Sequence, residues 1–372
     1  MTVQLPFTRL AHHPTKPQLV LANGQHYMVL NSQTGELIKS YPKEDTLDSV
    51  TDHFRCVAFN KDGSLLATSG ENKEICVWDT NDWSLKNTRP AYKRVNALRF
   101  DNASTQVVIA DKFGDVYCHP IEEIVNEEKL KPIVGHVSMV TDMLLTPDEK
   151  YVITSDRDEH IRVSRFPNGY NIESFCLGHT DVVTCIDLIP WKTDVLVSAS
   201  GDGTVRLWNF VSGECLQVID LKEHIEAYKP PASDANSEDA IISALSFDSA
   251  SQTLAVAFAK SLAVLLLNYN QDTFAYKQTL VVSSPVLDIT FDVNSQLWLS
   301  LDSQEQRITL ATLNEEQWAE NKENDALKHI NTTQVCQANK VFDLYTIFGL
   351  RKFLDLPEQN EEETKNKKRK TE

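Results

Sequence analysis

His179 and Asp202 are residue types that general acid–base chemistry uses: an imidazole that titrates near neutral pH and a carboxylate able to orient it. No nucleophile accompanies them, and a structural hydrogen-bond chain, set out below, accounts for both. Gly201-Asp202-Gly203 has the look of a phosphate-cradling loop. It joins two strand-like runs, however, and no helix N-terminus follows to receive a phosphate. The seven cysteines, at 56, 76, 118, 176, 185, 215 and 336, are odd in number and lack CxxC spacing. Most lie in apolar runs such as EICVW, so they read as buried reduced thiols and no metal site is expected. A phosphate-loop motif, a GxGxxG fingerprint and an HExxH pair are all missing, and no catalytic or cofactor-binding residue is expected.

Composition narrows the classes further. The formal net charge of −17 disfavours nucleic-acid binding by this chain alone, because gripping phosphates needs concentrated Lys and Arg. Hydrophobic residues make up 41%, enough for a large core, yet no apolar run approaches the roughly 18 residues of a membrane helix. The N-terminal MTVQLPFTRLAHH lacks the pattern of a secretory signal. A soluble, intracellular protein with no membrane role is the expectation.

The elements that must hold His179 and Asp202 emerge from a repeat. Its unit is an apolar stretch, a polar turn, a second apolar stretch ending in small residues, another turn and a third strand. RCVAFNKDGSLLATSGENKEICVWDT and TCIDLIPWKTDVLVSASGDGTVRLWNF are the clearest copies. The first strands end at Phe59, Phe100, Leu145, Leu188, Phe247 and Phe291, spaced 41, 45, 43, 59 and 44 residues apart. That fits the period of about 40–45 residues of WD repeats, which build β-propellers. The long step holds a polar insertion with two prolines, at about 221–239. A degenerate copy upstream of Tyr41 makes seven. The predicted fold is all-β, a seven-bladed WD-repeat propeller over 1–320, followed by a packing segment at 321–356 and a charged tail at 357–372. Val3–Leu5 is expected to add an outer strand to the last blade and so close the ring.

In blade five, His179, Asp202, Ser198 and Trp208 stand where WD repeats form a buried hydrogen-bonded chain, tolerable only if its members satisfy one another. Blade four repeats the start with Gly135-His136, Thr154 and Asp158, but has Ser164 in place of Trp. Trp78 stands in blade two without a Gly-His pair.

The segment SDRDEHIRVSRFPNGYNIESFCLGHTDVVTCIDLIP at 155–190, with SASGDGTVRLWNFVSGECL after it, resembles the non-catalytic WD-repeat subunit of the eukaryotic tRNA (guanine-N7)-methyltransferase. ADKFGDVY at 110–117 fits the same family, and VFDLYTIFGLRKFLDLP resembles a diverged form of its C-terminal segment. The resemblance implies a heterodimer with a separate catalytic subunit, which binds S-adenosylmethionine and forms N7-methylguanosine in the tRNA variable loop. This chain would hold no cofactor or small-molecule substrate and would meet tRNA mainly through the complex. Arg157, Asp158 and His160 in the second turn of blade four, Arg162 on the next strand and Lys112 in the matching turn of blade three are the expected partner-binding residues. Arg162 has a competing role as a brace within its blade.

The tail run Lys367-Lys368-Arg369-Lys370 suits a nuclear localisation signal, so a nuclear protein is expected. A different class, a generic WD-repeat scaffold or substrate receptor of a cullin ubiquitin ligase, is disfavoured. The Trp-Asp-x-Arg such receptors often carry is absent: Trp78-Asp79 precedes Thr80-Asn81, and Asn209 follows Trp208.

Overall fold

The computed structural model describes residues 3–4, 6–23, 26–41, 46–47, 56–70, 73–123, 130–229, 240–333, 337–339 and 344–351. Seven four-stranded antiparallel sheets follow one another along the chain. Each sheet is built from four consecutive strands, and the seven form a β-propeller. Blade four, for example, comprises Val140–Leu145, Tyr151–Asp156, Ile161–Arg165 and Ile172–Cys176. Blade five comprises Val183–Ile189, Lys192–Ser200, Thr204–Asn209 and Glu214–Asp220.

The burial gradient explains the residue choice. Second strands are packed on both faces and read as continuous small and apolar runs, as in the fully buried Thr253–Phe258. Outer strands face water, as in the largely exposed Glu214–Asp220. Blade-to-blade packing is apolar: Ile189, Val197 and Leu207 of blade five meet Leu254, Val256 and Leu265 of blade six in one cluster. In blades three to seven the pairing slips by one residue near the start of the first strand. Such bulges sharpen the local bend and turn side chains toward a neighbour. Asn96 at the slip in blade three donates to the Val140 carbonyl of blade four at 2.7 Å.

Ring closure departs from the sequence expectation. Blade seven completes itself with Val286–Phe291, Leu297–Leu301, Ile308–Asn314 and Gln317–Glu320. The N-terminal Val3–Gln4 does not join it. It pairs antiparallel with Gln337–Ala338, which pairs parallel with Thr46–Leu47 in a separate small sheet. The seam between blades seven and one is closed by side chains. Asp288 accepts from the Leu10 amide at 2.8 Å and lies 3.8 Å from Arg9, while the Ser300 hydroxyl donates to the Phe7 carbonyl. Trp298, Ile308 and Leu310 pack with Leu10, Leu19 and Leu21 across the same seam.

The C-terminal helix Asp325–Thr332 crosses this seam. Leu327 and Ile330 are buried in the seam cluster, and Asn324 caps the helix by accepting from the Leu327 amide at 2.9 Å. The stretch read as a polar insertion begins with helical turns at Lys222–Ile225 and Glu226–Tyr228 that bury Leu221 and Ile225 against blades five and six. Residues 230–239 lie outside the described set.

Candidate functional site

Blade five holds the buried polar chain. His179 Nδ1 lies 2.9 Å from an Asp202 carboxylate oxygen and Nε2 lies 2.7 Å from Ser198 Oγ. The Trp208 indole donates to the same hydroxyl at 2.8 Å. Asp202 also accepts from the Thr180 amide and from the Thr204 amide and hydroxyl. Burial by itself would raise the Asp202 pKa, but the His179 ring and these donors outweigh it and hold the carboxyl well below the usual range. A Ser–His–Asp series of this kind is reminiscent of a hydrolase. Here Ser198 is wholly buried and already accepts from Trp208, so the chain braces the blade.

Blade four uses a different aspartate from the one expected. His136 Nδ1 meets Asp156 at 3.0 Å and Nε2 meets Thr154 Oγ1 at 2.7 Å. Asp158, expected to fill this place, does not. Asp156 ends the second strand, at the position Ser200 holds in blade five. From there its second oxygen also accepts from the Asp158 and His160 amides and shapes the turn. One carboxylate thus does both jobs, which leaves the Asp158 side chain at the surface groove described next. In blade two, the Trp78 indole donates to Thr68 at 3.2 Å.

The five expected partner residues diverge. Lys112 is exposed, with its ammonium 5.3 Å from the centre of the Phe113 ring. Asp158 and the half-exposed His160 line a groove of about 370 Å³ with Val137, Arg162, Phe175 and Leu177. Arg162, part of that lining, is also hydrogen-bonded within and between blades. Its guanidinium donates to Ser164 Oγ at 2.8 Å and to the Gly135 and Gly169 carbonyls at 2.8 and 2.7 Å. Its cationic group ties the outer edges of two blades together, a bracing contact, while its place in the groove lining keeps it on the expected partner face. Arg157 donates through Nε and Nη2 to the Leu350 and Arg351 carbonyls, at 2.6 and 3.2 Å.

Sequence reasoning missed the apolar part of this face. Val137 is fully exposed, and Tyr92, Phe113, Phe175 and Leu177 are 61%, 56%, 41% and 59% exposed. They stand at the same end of blades three to five, in turns between second and third strands, in blade-to-blade loops or at an outer strand's end. Lys93 lies over both the Tyr92 and Phe113 rings. The available signal was an apolar residue directly after Gly135-His136, where a loop has no reason to carry one. Of the six described cysteines, Cys215 is exposed, against the expectation of burial. Burial pushes the Cys176 and Cys185 thiols up to about 12. Cys336 and Lys367–Lys370 lie outside the described residues.

Against known proteins, the model of the tRNA methyltransferase TRM82 WD40 domain matches residues 31–132 and 123–328. The chain belongs to this family. A human relative of the TRM82 WD40 family, the tRNA (guanine-N(7)-)-methyltransferase non-catalytic subunit WDR4, is 32% identical over 278 residues. That alignment covers 73% of this chain and 65% of the relative. The Eremothecium gossypii subunit TRM82 is 31% identical over 340 residues, covering 82% of this chain and 75% of the relative. This chain thus spans somewhat less than two thirds of the human relative's length, and 66% of that of the Danio rerio subunit. Among solved structures, that of U3-55K superposes with a TM-score of 0.66 at 19% identity, covering 81% of this chain and 90% of that one. This supports the propeller fold alone.

Proposed function

We propose that this chain is the non-catalytic subunit of a tRNA (guanine-N7)-methyltransferase. It binds a separate catalytic subunit, which holds S-adenosylmethionine, and supports N7-methylguanosine formation in the tRNA variable loop. The observation that carries this reading is the family match across 31–328, joined by relatives whose names state that role. The exposed crescent on blades three to five gives the partner a place to dock. It combines apolar Val137, Phe175 and Leu177 with Lys112, Asp158 and His160 at its margin, and apolar exposure rimmed by charge marks interaction surfaces. A rigid propeller that binds the competent conformation of a catalytic partner more tightly shifts its population toward that state. Contact with tRNA comes mainly through the complex.

The test is affinity of the purified chain for the catalytic subunit. Val137→Asp is expected to cost at least tenfold, because it buries a charge in an apolar contact. Lys112→Glu at the wet margin is expected to cost about 1 kcal/mol or less if its pairing stays hydrated. Wild-type affinity in both variants, each folded by circular dichroism, would place the interface elsewhere. We also propose nuclear residence directed by Lys367, Lys368, Arg369 and Lys370. A fluorescent fusion lacking 361–372 should shift toward the cytoplasm; an unchanged nuclear signal would remove that role.

A further inference from the structure

Residues 344–351 lie across one mouth of the central channel. Tyr345 donates its hydroxyl to Asp302 of blade seven at 2.8 Å. Lys260 of blade six sits over the Tyr345 and Phe348 rings, at 5.4 and 4.9 Å from their centres. Ile347 and Leu350 roof a polar cavity of about 280 Å³ inside the ring. Arg351 then pairs with Asp181, on the loop entering blade five, at 2.6 Å. The last contact of this strap is on blade four, where its Leu350 and Arg351 carbonyls take two of the Arg157 donors.

That end point has a consequence for binding. Backbone carbonyls orient a guanidinium without cancelling its charge, as a carboxylate would. Arg157 is therefore held in one rotamer and still cationic. Among the described residues, no hydrogen bond engages its Nη1, so that nitrogen remains to face a partner. A long cationic side chain loses rotamer entropy whenever it is immobilised. Here the strap has imposed that loss before any partner arrives. None of residues 344–351 lines the groove of blade four, which the strap leaves open.

We infer that the strap 344–351 is a positioning element for the partner-binding face: it holds Arg157 in the geometry that the catalytic subunit reads, so strap and partner bind cooperatively. This rests on the proposed function. The opposite arrangement, a strap that occludes the face and must be displaced, would make its removal tighten binding.

The experiment compares three forms: the full chain, a chain ended after residue 356 and a chain ended after residue 339. The second keeps the strap and the third lacks it. Each is made with and without Arg157→Ala, and affinity for the catalytic subunit is measured by calorimetry. Ending at 356 should leave affinity unchanged. Ending at 339 should weaken it about three- to tenfold. In the Arg157→Ala background, strap removal should change affinity less than twofold, the non-additivity of residues acting as one unit. If the short form folds poorly, the full-length Tyr345→Phe/Arg351→Ala variant is measured in its place, with the same expectation. Equal or tighter binding without the strap overturns the inference, as does an equal loss in both backgrounds. A wild-type chain that does not bind the catalytic subunit overturns the functional reading beneath it instead.

Discussion

Asp202 shows how one carboxylate can fix a blade. Its Oδ2 holds His179 and its Oδ1 the next strand's first amide, so removal takes the carboxylate partner from a buried imidazole. Asp202→Ala is expected to cost about 1–3 kcal/mol at pH 7, read from thermal or denaturant melts. Its folded pKa is depressed, so this stabilisation is present above the unfolded value of about 4 and is lost as pH falls below that, through the folded value. The gap between variant and wild type should therefore narrow in melts at about pH 3. An equal midpoint at pH 7 would contradict the bracing role. The blade-five chain was legible because its residue types sit at standard offsets. The blade-four aspartate was not, because Asp156 and Asp158 lie two residues apart and only the pairing of Val140 with Asp156 decides which one faces His136. Arg157 and Arg162 posed a similar problem: the sequence places both on one charged turn and strand, while carbonyls distant along the chain decide what each does.

The helix Asp325–Thr332 is the element that spans the seam. Its fit depends on Gly35 in the last turn of blade one. A Cβ there would stand 2.5 Å from the Ala326 carbonyl oxygen and 2.8 Å from His329 Cβ, and the residue has a positive φ of 77°. No rotamer change can relieve a clash with backbone. Gly35→Ala should destabilise the chain by about 1–3 kcal/mol, seen as a lowered thermal midpoint. In a chain ended after residue 320, which lacks the helix, the same substitution should cost only the φ strain, about 1 kcal/mol. Equal losses in both chains would show that the helix does not press on this turn. The sequence pattern alone could not place this helix, since its apolar side faces a seam made by the two ends of the propeller.

At the scale of the whole molecule, the repeat spacing made the ring legible, because seven similar units leave few other ways to bury their sheet faces. The manner of closure was hidden. The outer strand of blade seven, Gln317–Glu320, follows an acidic Glu315-Glu316 turn and reads as a loop; only the burial of Trp318 marks it as a strand. With that strand supplied locally, Val3–Gln4 is free to pair with Gln337–Ala338, and the segments flanking the propeller, up to residue 338, gather at one seam. Buried Arg307 joins them, donating to Gln4 and to the Asn331 and Thr333 carbonyls. The proposed division of labour leaves the propeller as a rigid body and the chemistry to its partner. Methyl transfer from S-adenosylmethionine to tRNA by this chain alone, by the catalytic subunit alone and by the two together tests that division most directly. The expected result is no transfer by this chain, and more by the pair than by the catalytic subunit alone. Transfer by this chain alone, or a pair no more active than the catalytic subunit, would contradict it.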